Sequence, residues 1–65
     1  MKDNYLNVHE AAKVLGYRHI ESFRRAVRIG WLKSLINPVP GRDVEGFHAN
    51  SVAYPEGEVY KAAGL

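Results

Sequence analysis

The 65-residue chain holds no cysteine, 46% hydrophobic and 25% charged residues, so one small domain has to hold itself together by apolar packing, without disulfides or thiolate-bound metal. That composition excludes disordered, collagen-like and low-complexity classes. No apolar run approaches the roughly 20 residues of a membrane span, and Met1-Lys2-Asp3-Asn4 precedes no signal-peptide core. The expectation is a soluble, cytoplasmic protein with no membrane partner.

Asn7 followed by Glu10 reads as a capping box, with Asn7 accepting from the first turn and Glu10 reaching back to the cap. A helix over 8–15 follows, with Val8, Ala11, Ala12, Val14 and Leu15 on its apolar side. Tyr5 and Leu6 precede the cap as a hydrophobic staple against Ala11 and Ala12. Gly16 tolerates the left-handed conformation that ends a helix. A second helix over 20–29 carries Ile20, Phe23, Ala26 and Val27 on one face and Glu21, Arg24, Arg25 and Arg28 on a neighbouring stripe. Gly30 ends it, and Trp31 and Leu32 return the chain to the core. So short a link between the helices favours a crossed helix-turn-helix.

Beyond Lys33 the helical period is lost. Lys33 to Pro40 and Phe47 to Tyr54 read as the strands of a two-stranded hairpin, about 33–54, whose prolines confine the first strand to an edge. Its loop is the turn cluster Gly41 to Gly46. Such a hairpin is marginal alone and must lean Leu35, Phe47 or Val52 on the helices. Pro55, Glu56 and Glu58 open a short C-terminal helix, about 56–63, because proline suits the first helical position and acids suit the first turn. Val59, Tyr60 and Ala63 should face inward, and Gly57 weakens the helix. The fold class is small α+β, in a single domain over 1–65.

The net charge of +2 conceals an uneven distribution. Residues 1–12 set Lys2 against Asp3 and Glu10, a balance of −1. Residues 13–42 set Lys13, Arg18, Arg24, Arg25, Arg28, Lys33 and Arg42 against Glu21 alone, a balance of +6. Residues 43–65 set Lys61 against Asp43, Glu45, Glu56 and Glu58, a balance of −3. A localised positive stretch of this kind is the electrostatic footprint of a polyanion binder.

Catalysis fares poorly. There is no cysteine and no threonine, and Ser22, Ser34 and Ser51 stand in no nucleophile-elbow context. His9, His19 and His48 lack metal-ligand spacing, and no phosphate-cradling glycine loop occurs. We therefore expect no enzyme, no cofactor and no metal. Double-stranded DNA binding fits better, since the second helix of a helix-turn-helix enters the major groove. Arg24, Arg25 and Arg28 occupy its exposed stripe, with His19 and Ser22 near its start. The planar arginine fork matches guanine O6 and N7. Glu21 is placed to pair with Arg24 and Arg25 or to accept from a cytosine N4. Arg42, at the expected hairpin tip, reaches phosphates or the minor groove, and Lys13, Arg18 and Lys33 contact the DNA backbone. Trp31, Tyr17, Tyr54 and Tyr60 read as packing residues rather than base platforms. A second class is a protein–protein adaptor anchored by an exposed patch of Trp31, Leu35 and Ile36.

Tyr5 to Gly16, in the order Tyr-Leu-Asn-Val-His-Glu-Ala-Ala-Lys-Val-Leu-Gly, resembles the opening of small winged helix-turn-helix domains of MerR-like type, found in phage and mobile-element excisionases and AlpA-like regulators. Arg28 to Leu32 is similar to the segment closing that family's recognition helix, and Tyr54 to Val59 to its strand-proline-acidic-helix ending. Tyr17-Arg18-His19-Ile20 lacks the customary Ser or Thr cap, and the wing segment is longer than common. The resemblance implies a winged helix-turn-helix. The chain stops at Leu65, where regulators of MerR type continue into a dimerisation helix. What is implied is thus a stand-alone excisionase, a recombination directionality factor that bends DNA, self-associates cooperatively on it and steers an integrase. A phage transcriptional regulator of AlpA-like type is the alternative.

Overall fold

A computed structural model describes residues 4–65, so Lys2 and Asp3 lie outside the described residues. The order is strand β1 (Tyr5–Leu6), helix α1 (Val8–Val14), helix α2 (Ile20–Arg28), strand β2 (Val39–Pro40), a 3-10 turn (Gly41–Asp43), strand β3 (Val52–Pro55) and helix α3 (Glu56–Ala62). Among the described residues this is a small α+β arrangement of three helices and one three-stranded antiparallel sheet. Each helix stops one residue before its expected end, because Leu15, Ile29 and Ala63 are C-caps that close the last turn through their N–H groups.

The capping box forms. The Glu10 N–H donates to Asn7 Oδ1 at 2.8 Å and the Asn7 N–H to Glu10 Oε1 at 3.0 Å, which satisfies two donors that a helix start leaves unpaired. At the other end of α1, Gly16 adopts φ 81°. This lets the Gly16 N–H reach the Lys13 carbonyl at 3.1 Å and the Tyr17 N–H the Ala12 carbonyl at 2.9 Å, the paired bonds that close a helix through a left-handed residue. Helix α2 has no such start. His19 is its N-cap and its side chain makes no capping bond, so burial of Phe23, Ala26 and Val27 holds the helix in place of a local signal.

The hairpin expected over 33–54 is corrected in three respects. Residues 31–35 form turns, not a strand, because the Leu32 carbonyl accepts from both Leu35 and Ile36 N–H groups at 3.0 Å. The strand pairing that does form is short, Val39 with Ala53 and Pro40 with Val52, and β2 is an edge strand as its proline requires. The sheet also gains a third strand. Tyr5 and Leu6, expected only as a staple, pair with Pro55 and Tyr54, giving the order β1-β3-β2. A two-residue strand whose partner lies at the far end of the chain leaves no alternation to read.

The core joins Leu6, Ala11, Ala12, Phe23, Ala26, Val27, Leu32, Ile36, Tyr54 and Val59. Leu35 and Val52, expected to lean on the helices, are exposed, and Phe47 is half-buried. Ile36 and Ala53 are buried instead. Phe23 sits between two rings, edge-on to Tyr54 with centroids 5.0 Å apart and to Tyr17 at 5.9 Å. Pro55 ends β3 and caps α3 rather than occupying its first turn. The Glu58 carboxylate accepts from the Asn37 N–H at 2.7 Å, tying the segment after α2 to α3.

Candidate functional site

Helix α2 turns 100° per residue, which puts Phe23, Ala26 and Val27 against the core and swings Glu21, Arg24, Arg25 and Arg28 into solvent on the opposite arc. Glu21, Ser22, Arg24, Arg25, Arg28 and Ile29 line one open depression of about 380 Å³. Three guanidinium groups and one carboxylate therefore share a single solvent-facing surface. Glu21 Oε1 pairs with Arg24 Nη1 at 3.2 Å, and Arg24 is the partner it takes of the two arginines within reach. Both side chains are exposed, so the pair orients Arg24 more than it stabilises the helix.

The remaining expected contacts lie off this depression and are all exposed. His19 holds the N-cap position of α2 without a capping bond, Arg18 lies in the connection before it, Lys13 is in the last turn of α1 and Lys33 in the turns after α2. Arg42 is displaced from its expected place. It lies in the 3-10 turn directly after β2, at the base of the loop over 41–51 and not at its tip. Gly41 explains this. It is buried, and a Cβ there would collide with the His48 carbonyl and with Ser51. The Gly41 N–H donates to the Ser51 carbonyl at 2.8 Å, and Ser51 Oγ–H to the His48 carbonyl at 2.7 Å. The loop is thus closed across its base by close backbone approach.

A second depression, of about 340 Å³, was not legible in the sequence. Val8 and His9 of α1, Arg24 of α2, and Asn50, Val52 and Tyr54 from the loop and β3 line it. Arg24 borders both depressions. Burial raises the Tyr54 phenol above the ordinary tyrosine range, and the positive charge of Arg24 draws it partly back. Tyr54 is therefore a neutral hydroxyl donor at physiological pH.

Trp31 does not join the core with Leu32. It remains 57% exposed while its Nε1–H donates to Tyr17 Oη at 2.8 Å. Ile36 is 1% exposed and belongs to the core, so of the apolar patch expected of Trp31, Leu35 and Ile36 only Trp31 and Leu35 are exposed, and Ile29 is exposed as well. Among the described residues no three His, Asp or Glu side chains gather as a metal site, and no helix is long and apolar enough to cross a membrane. No protein-family model, curated protein or solved structure matches the chain.

Proposed function

We propose that the protein binds double-stranded DNA as a winged helix-turn-helix, with α2 in the major groove and the β2–β3 hairpin as the wing. The observation that carries this reading is the solvent-facing arc of α2, where Arg24, Arg25 and Arg28 stand together on a helix held from behind by Phe23, Ala26 and Val27. A rigid helix presenting arginine forks suits base edges, and charges spread around it suit phosphates. Arg42 at the wing base, with Lys13, Arg18 and Lys33, supplies the backbone contacts. Within that reading the sequence resemblance favours an excisionase directing an integrase, with an AlpA-like transcriptional regulator as the alternative. The exposed Ile29, Trp31 and Leu35 are the feature that favours a protein partner, either an integrase beside DNA or, in the adaptor reading, a protein alone.

Duplex titration across salt tests the proposal. Contact with about four or five phosphates predicts a log–log slope near −4, and a flat response refutes DNA binding. A base-reading arginine, replaced by alanine, loses about 1–3 kcal/mol of discrimination at one position, whereas Arg42→Ala weakens all sequences alike. An excision assay with a cognate integrase separates the two biological roles. An unchanged product ratio leaves the regulator.

A further inference from the structure

Apart from Arg24, the residues of the depression between α1, α2 and β3 take no part in the proposed major-groove and wing contacts. Its composition is unlike that of the arginine-lined surface beside it. Val8, Val52 and the Tyr54 ring give it apolar walls, and Arg24, His9 and Asn50 give it polar ones. Tyr54 is 4% exposed, and its hydroxyl makes no hydrogen bond among the described residues. No side-chain oxygen of the described residues is both sealed from solvent and unpaired, so this hydroxyl keeps contact with water. A phenol buried to its last atom, with that atom free and an arginine charge acting on it, is prepared to donate to an anion.

The position of the notch limits what that anion is. On the helical wheel Arg24 stands at the margin of the exposed arc, some 100° from Arg25, and it is the one arginine of the three that lines both depressions. With α2 in the major groove and the hairpin at the adjacent minor groove, the sugar–phosphate strand that separates the two grooves crosses the surface between them. That surface is the notch. We propose that the notch between Arg24, Asn50 and Tyr54 seats one phosphodiester unit of the bound DNA, with Tyr54 donating its hydroxyl hydrogen to a phosphate oxygen and Val8 and Val52 lying against the sugar. The inference rests on the DNA-binding reading and sharpens it. It assigns Arg24 to the backbone, with Glu21 holding its guanidinium from the groove side at 3.2 Å, and it leaves Arg25 and Arg28 for base edges.

Tyr54→Phe is the decisive variant, because it keeps the ring packed edge-on to Phe23 and removes only the hydroxyl. Its binding is compared with wild type on a duplex series in which single phosphates are replaced by uncharged methylphosphonates, with thermal unfolding confirming that the variant is folded. The expected result is an affinity loss of about tenfold, shared equally by target and scrambled duplexes, the lower range for a hydrogen bond to a charged group. One methylphosphonate position should cost wild type more than it costs Tyr54→Phe or Arg24→Ala, since the phosphate and the side chains act on the same contact. A Tyr54→Phe protein that binds as wild type does overturns the notch and leaves DNA binding standing. A loss confined to one base sequence also overturns it, by making Tyr54 a base reader. Wild-type protein that binds no duplex removes the DNA-binding reading itself, and the notch with it.

Discussion

Phe23 is where packing and the orientation of α2 meet, and Phe23→Leu measures what its ring contributes. The side chain is fully buried and touches two aromatic rings edge-on, Tyr54 at 5.0 Å and Tyr17 at 5.9 Å between centroids. Each such pair is worth about 0.5–1.5 kcal/mol beyond its buried area, and the smaller leucine adds a cavity term of about 1 kcal/mol. The expected loss is about 2–4 kcal/mol. At roughly 0.05–0.15 kcal/mol per residue the whole domain holds only about 3–10 kcal/mol, so the variant stays marginally folded and Phe23→Ala, which costs about 3–5 kcal/mol, populates the unfolded state heavily. Urea unfolding should show a lower midpoint at unchanged slope, and Tm should fall by roughly 10–25 °C. Trp31→Phe serves as the control, because it deletes one exposed hydrogen bond to Tyr17 at a cost of about 0.5–1 kcal/mol. A Phe23→Leu loss no larger than that of Trp31→Phe refutes the assignment of the Tyr17–Phe23–Tyr54 contacts as the centre of the core.

Glu21→Gln leaves the fold within about 0.5 kcal/mol of wild type, since the Arg24 pair is exposed. It should raise duplex affinity several-fold at low salt by removing the one acid of that arc, with the gain shrinking as salt rises; lost discrimination at a single cytosine instead identifies Glu21 as a base reader. Gly41→Ala drives a Cβ into the His48 carbonyl and Ser51 and should cost about 1–3 kcal/mol by denaturant titration, while Gly57→Ala, in α3 with open space around it, should gain about 0.5 kcal/mol. Tyr54 links stability to alkaline pH. Burial holds the folded phenol protonated above the ordinary tyrosine value, so its contribution is complete below about pH 10 and declines as pH rises through the folded value. Tyr54→Phe should therefore flatten the fall of Tm above pH 10, and an equally steep fall in that variant counts against burial of Tyr54 as the cause.

The parts of the fold that were legible are those whose signal is local. Asn7 and Glu10 announce a capping box because both partners lie within one helical turn. The α2 period is visible because one face repeats Ile20, Phe23 and Val27 while the other carries charge. Gly16 marks a helix end because a positive φ favours glycine. The exposure of Lys13 on α1 and of Glu21, Arg24, Arg25 and Arg28 on α2 followed from the same helical patterning.

Sequence alone thus determined three helices, the arginine arc of α2 and the edge position of the strand that holds Pro40, because each depends on neighbours a few residues away. Only the tertiary structure decided that Tyr5–Leu6 is a strand, since its pairing to β3 joins the two ends of the chain. It likewise chose Ile36 over Leu35 for the core, kept Trp31 outside on Tyr17, and drew Arg42 down to the loop base through the tight approach at Gly41. The notch that brings Arg24 beside Tyr54 belongs to the same class. Its walls come from three elements distant in sequence, and a surface made by their packing has no counterpart in the spacing of residues along the chain.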